Sequence, residues 1–208
     1  MTIDQINAIC PGWSGDKQWD AFDTFLRQLP VNAHVLMLGV YQGRDIAYMH
    51  TIAKQLGKRI RITGVDLFSD VPGADWQEAD KGKSWQDAHG VDAPSLNKAR
   101  FNIEMCGAAP CTTLIQANAL TWLESHAADA PAFHMAYIDL SHDYETTRDA
   151  IKGVVPLIVD GGIIAGDDYS DEGTWGVKRA VSEAFPSHGV SHAWIWSAYK
   201  GAEACVSV

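Results

Sequence analysis

From residue 17 onward, short apolar runs alternate with stripes of apolar residues at helical spacing, and most runs stop on a glycine or an aspartate. A strand covered on both faces reads as a continuous apolar run, whereas a helix covering a sheet reads as a stripe at i, i+3, i+4. Their alternation predicts an α/β fold, a doubly wound and mostly parallel sheet with helices on both faces. The runs are 34–38 (HVLML), 60–65 (IRITGV), 112–115 (TTLI), 133–138 (FHMAYI) and 162–165 (GIIA). The first stripes are Trp19, Phe22, Leu26 and Leu29 before Pro30, and Ile46, Met49, Ala53 and Leu56 before Gly57. Leu96, Ala99, Ile103 and Met105 follow, then a short helix over 119–126, then Tyr144, Thr147, Ile151 and Val154. Val177, Ala180, Val181, Ala184 and Phe185 form the cleanest stripe. The tail reads as two strands, SHAWIWS and KGAEACVSV, joined by a tight Lys200-Gly201 turn and adding an antiparallel edge.

The 208 residues contain no repeat, low-complexity tract or linker, so they form one domain, 1–208, with a helical N-terminal segment over 1–30. The stretch 68–94 is polar, rich in Asp, Gly, Lys and Trp, and too long for an ordinary connection. It carries Trp76, Lys81, Lys83 and Trp85, and is expected to be either a lid over a ligand site or an ordered surface excursion.

With 16 Lys+Arg against 26 Asp+Glu, the formal charge is −10, which excludes binding nucleic acid or anionic lipid through bulk charge. No apolar run is long enough to span a membrane, and the N-terminal decapeptide has no basic, apolar signal pattern. Cys10, Cys106, Cys111 and Cys205 show no CxxC spacing and are expected to be reduced thiols, mostly buried. These features fit a cytoplasmic chain, for which a homodimer is the base-rate assembly.

Ligands of open α/β sheets bind beyond the carboxyl ends of the strands. The residues there are Gly39-Val40-Tyr41-Gln42-Gly43, Asp66, Gln116-Ala117-Asn118, Asp139 and Asp167-Asp168. The glycine turn permits close backbone approach of a ligand, but lacks the Lys of a phosphate loop and the full GxGxxG fingerprint. Asp66 at the end of the second run either accepts hydrogen bonds from ribose hydroxyls or caps the following segment. If the strands ending in Asp139 and Asp167-Asp168 are neighbours, three carboxylates converge, and their repulsion calls for a hard divalent cation such as Mg²⁺, Mn²⁺ or Ca²⁺. His142, just beyond Asp139, is either a general base beside that ion or a surface histidine.

The blocks VLMLGVYQGRDIAYM (35–49), GVDLF (64–68), AYIDLSHDYETTRDAI (136–151) and GGIIAGDDYSDEGTWGVKRAV (161–181) resemble class I S-adenosylmethionine-dependent methyltransferases, nearest the macrocin and cephalosporin type of sugar O-methyltransferase. The resemblance covers most of residues 30–200 and implies a Rossmann-like, seven-stranded sheet with an antiparallel last strand. It implies S-adenosylmethionine over Leu38, Gly39, Tyr41 and Gly43, its ribose on Asp66 beside Leu67, and its adenine near Asn118 and Ala119. It further implies Mg²⁺ (or Mn²⁺) on Asp139, Asp167 and Asp168, where the ion meets the hydroxyls of a small-molecule acceptor such as a sugar or catechol. Asp139 also borders the cofactor, and with His142 it belongs to the catalytic pair.

Two positions depart from the family pattern. Met37 is apolar where relatives carry an acid. Asp45 replaces a small hydroxyl residue, placing negative charge near the methionine end of the cofactor, in opposition to the cofactor's carboxylate. A non-catalytic nucleoside-binding regulatory module on the same fold is the competing reading. A hydrolase lacks support, because no GxSxG elbow is present.

Overall fold

The computed structural model describes residues 1–69, 83–192 and 194–201. The N-terminal segment forms α1 (Ile3–Ile9) and α2 (Asp16–Gln28). After it come β1 (Asn32–Leu38), α3 (Arg44–Gln55), β2 (Arg59–Asp66), α4 (Trp85–His89), α5 (Leu96–Met105) and β3 (Thr112–Gln116). The remainder is α6 (Ala119–Ser125), β4 (Phe133–Ile138), α7 (Tyr144–Val154), β5 (Ile158–Gly166), α8 (Val177–Ala184), β6 (Gly189–Ser191) and β7 (Ile195–Tyr199).

The sheet order is β3-β2-β1-β4-β5-β7-β6. The first five are parallel; β7 runs antiparallel to β5, and β6 antiparallel to β7. The expected antiparallel edge exists, but its hairpin lies upstream of the Lys200-Gly201 turn, and residues 202–208, including Cys205, fall outside the described residues. All three residues of β6 are exposed, so no buried face imposes an apolar pattern on them.

Side-chain alternation sorts the core into two layers. Val35 and Met37 of β1, with Met135 and Tyr137 of β4, face Phe22, Leu26, Ile46, Met49 and Ile52. Leu36 and Leu38, with Ala136 and Ile138, face Leu123, Ile151, Val154, Val181 and Trp196. Burying both strand faces is why the strands read as unbroken apolar runs.

Lys58, between α3 and β2, ties the N-terminal segment to this body. Its Nζ donates to the main-chain oxygens of Leu26 (2.6 Å), Arg27 (2.8 Å) and Leu29 at the end of α2. Carbonyls at a helix C-terminus have no intrahelical donors, and a cation there also meets the negative end of the helix dipole. Lys58→Met is expected to lower unfolding stability by roughly 1–3 kcal/mol; an unchanged urea midpoint would show that water serves those carbonyls equally well.

Candidate active site

Strand order reverses between β1 and β4, so their carboxyl ends form the switch point. Gly39 has φ +85°, and a Cβ on it would lie 1.7 Å from the carbonyl oxygen of Asp139. The position therefore admits glycine alone, because the two strand ends touch backbone to backbone. Of the four non-glycine residues with positive φ among the described residues, Tyr41 (51°), Phe68 (47°) and Asp168 (58°) lie just beyond the carboxyl ends of β1, β2 and β5, while His192 (52°) follows the edge strand β6. Such conformations cost free energy and cluster where a site over-determines the chain.

Asp66 holds the glycine turn in shape. Its Oδ2 accepts from the amides of Val40 (2.7 Å) and Tyr41 (2.8 Å), and its Oδ1 from Phe68 (2.6 Å). A carboxylate offers about four lone-pair sites, so Asp66 anchors two loops with three of them and keeps one free for a ligand hydroxyl. Beside it Leu67 is 49% exposed, whereas Leu38 is fully buried. The Asn118 side chain accepts from the Thr121 amide (3.1 Å) as the cap of α6, and Ala119 is buried behind it.

At the ends of β4 and β5, one donor atom each from Asp139, His142 and Asp168 lie within 4.8 Å of one another. His142 Nε2 stands 3.0 Å from Asp168 Oδ2. The imidazole also meets the edge of Trp175, with ring centroids 4.6 Å apart, so its orientation is fixed on two sides. Asp167 is turned to other partners: its Oδ2 accepts from Gln18 Nε2 (2.9 Å) and its Oδ1 from the Asp168 amide (2.9 Å). Burial, then repulsion from Asp168 and Asp167, holds the Asp139 carboxyl well above the usual carboxylate range. Burial and Asp168 likewise raise Asp167. A cavity of about 10 Å³ lies among Asp139, His142, Asp167, Asp168 and Trp196, room for one water-sized group.

The N-terminal segment closes the near side. Arg44 donates from Nε to the Cys10 carbonyl (2.7 Å) and from Nη1 to that of Ser14 (2.6 Å), drawing the 10–14 strap over α3. Trp13, Tyr41 and Trp85 form an aromatic group with centroids 5.2, 6.2 and 5.9 Å apart, joining strap, glycine turn and α4. Beneath the strap, Asp45 is 5% exposed, and burial lifts its pKa to about 7. The Tyr137 hydroxyl lies fully buried near the same carboxylates with no hydrogen-bond partner.

The structure thus brings Asp139 and Asp168 together, as the strand-end pattern anticipates, and adds His142 to them, with Asp167 on the same cavity but hydrogen-bonded to Gln18. Gln18 and the strap were not legible as site residues, because their contacts span long sequence separations. Of the predicted lid, residues 70–82, with Trp76 and Lys81, lie outside the described residues. Trp85 is placed against Tyr41.

The profile of a family described as "Methyltransferase domain" matches residues 36–169, more than half of the chain. A Streptomyces olivaceus protein, 8-demethyl-8-(2,3-dimethoxy-alpha-L-rhamnosyl)-tetracenomycin-C 4'-O-methyltransferase, is 28% identical over 159 residues; these are 70% of this chain and 60% of that protein. The solved O-methyltransferase NovP superposes with a TM-score of 0.65 at 19% identity, over 89% of this chain and 80% of that one. An O-methyltransferase from Bacillus cereus, solved in complex with SAH, gives 0.61 at 15% identity, over 95% and 89%. At these identities the solved structures speak for a shared fold, and the matched profile, which spans the glycine turn, Asp66 and the carboxylates, speaks for kinship: the chain belongs to the methyltransferase domain family.

Proposed function

We propose that the chain is an S-adenosylmethionine-dependent O-methyltransferase that acts on a hydroxyl of a small molecule with vicinal oxygens, a deoxysugar in the first instance. The observation that carries this reading is the meeting of Asp139, Asp168 and His142 beside the glycine turn, at the switch point of a methyltransferase-family sheet. The rhamnosyl group in the name of the Streptomyces olivaceus relative supports the sugar.

S-adenosylmethionine supplies a methyl group already activated as a sulfonium, so the protein's main task is to align a nucleophile with it. The bare backbone of the glycine turn, exposed Leu67 and the buried Asp45 carboxylate suit a ligand with an apolar nucleoside face and a cationic end. Asp139 and Asp168 would hold a divalent cation, with Asp167 beside them; an O,O donor pair with an adjacent imidazole suits Mn²⁺ as well as Mg²⁺. Such an ion, when bound, lowers the pKa of an acceptor hydroxyl. His142 takes the hydroxyl proton, and the charge that develops on its ring is offset by Asp168 at 3.0 Å.

His142→Gln is expected to reduce turnover by roughly 10²–10⁴-fold while Mn²⁺ affinity, followed by electron paramagnetic resonance, is retained. Lost Mn²⁺ affinity would instead make His142 a ligand. For the substrate class, the test is SAH formation with an α-L-rhamnoside, with its 2,3-di-O-methyl derivative and with a simple monohydric alcohol. Rhamnoside-dependent SAH is the expected result, and none with any vicinal-oxygen acceptor would overturn the reading.

A further inference from the structure

Asp45, the second residue of α3, is 5% exposed, yet its Oδ1 has no hydrogen-bond partner. Ser14 of the strap lies close enough to the carboxylate to favour its charged form. Among the described residues no Lys or Arg forms an ion pair with Asp45, and the adjacent Arg44 directs Nε and Nη1 to the main chain of Cys10 and Ser14. An acid in a first helical turn ordinarily meets water and the helix N–H groups. Here it is enclosed between strap and helix, where an uncompensated carboxylate is costly. A buried acceptor in this condition fits a cationic donor arriving with a ligand.

The surroundings restrict which cation. Asp66 and Leu67 mark the β2 side of the glycine turn; Asp139 and Asp168 mark the β4–β5 side. Asp45 lies on the latter side, within electrostatic reach of Asp167. On the S-adenosylmethionine reading the sugar lies on the β2 side and the reactive carbon near Asp139, which leaves the first turn of α3, just after Gly43, for the remaining arm. In S-adenosylmethionine that arm is an α-amino acid.

We infer that Asp45 is the counter-ion of the cofactor's α-ammonium group and makes the site selective for nucleosides carrying a free amino-acid arm. This rests on the S-adenosylmethionine reading above. Met37, apolar and 2% exposed in the core, cannot supply such a charge, and Asp45 brings an acid to the site from the helix instead of the strand. The ammonium turns the charge that stands against the cofactor's carboxylate into a recognition element.

The test is calorimetric titration of the full chain with three probes: S-adenosylhomocysteine, its analogue with the α-amino group replaced by hydrogen, and 5′-methylthioadenosine. A charge-assisted hydrogen bond of this kind predicts that the natural protein binds S-adenosylhomocysteine about tenfold or more tighter than the desamino analogue. Asp45→Asn should erase that preference and leave methylthioadenosine affinity unchanged. Equal binding of the first two probes by the natural protein overturns the inference without recourse to any variant. So does an Asp45→Asn loss of the same size for all three, which marks a purely structural role. Failure of the natural protein to bind any probe removes the cofactor reading and this inference together, whereas binding all three equally removes the inference alone.

Discussion

Asp168→Ala is expected to reduce methyl transfer by at least roughly 10³-fold while leaving S-adenosylhomocysteine affinity within a few-fold of the natural protein. Two losses coincide in this variant. The carboxylate that sets His142 at 3.0 Å disappears, so the imidazole loses both its orientation and the partner that stabilises its protonated form. One of the two oxygen donors proposed to hold a divalent cation disappears as well. The nucleoside end of the proposed site falls on other elements, the glycine turn and Asp66, which are joined to each other by their own hydrogen bonds. EDTA should therefore mimic the variant in the natural protein and add nothing to it. Turnover that persists in Asp168→Ala with EDTA present would remove the cation and the His142–Asp168 pair from the mechanism.

Asp45→Asn is expected to have an equally large effect of opposite kind, a gain in stability of the ligand-free protein. The folded state keeps the Asp45 proton up to about pH 7, chiefly because of burial and with a further contribution from Asp167, partly opposed by Ser14 and Arg44. The unfolded chain releases that proton near pH 4. Between these values folding takes up a proton, so this group's contribution is full below pH 4, declines as pH rises, and reaches its least favourable value above about 7. The gap corresponds to about 4 kcal/mol as an order of magnitude, or roughly 10 °C in midpoint for a chain of this size. Thermal unfolding at pH 5 and pH 8 in metal-free buffer checks it: the advantage of Asp45→Asn should appear at pH 8 and shrink at pH 5. An advantage independent of pH would mean that the carboxylate is solvated and carries no burial cost. Stability surrendered at a binding position is a common feature of functional sites.

Much of the fold is legible because β1, β4 and most of β5 are buried on both faces, which forces unbroken apolar runs. The edge is not, since β6 is wholly exposed and its sequence answers to no core. Asp139, Asp167 and Asp168 were readable as strand-end residues, because a parallel sheet puts such residues on one rim. Which of them converge is decided by side-chain direction: Gln18, far away in sequence, draws Asp167 aside, and the turn after β4 brings His142 in. Asp66 shows the same limit. Its place at the end of β2 suggested a ribose, and what the sequence did not reveal is that it also accepts from the backbone amides of the turns it faces. Asp45 was visible as an odd residue, while its burial depends on a strap that packing alone reveals.

The most direct measurement is calorimetric titration of S-adenosylhomocysteine into the purified protein, once with Mg²⁺ and once with EDTA. On the proposed reading the nucleoside end rests on Asp66 and the cation on the Asp139 and Asp168 side chains, so binding of similar affinity is expected in both buffers. No binding in either would contradict the methyltransferase reading and leave a family member that has kept the fold without its cofactor.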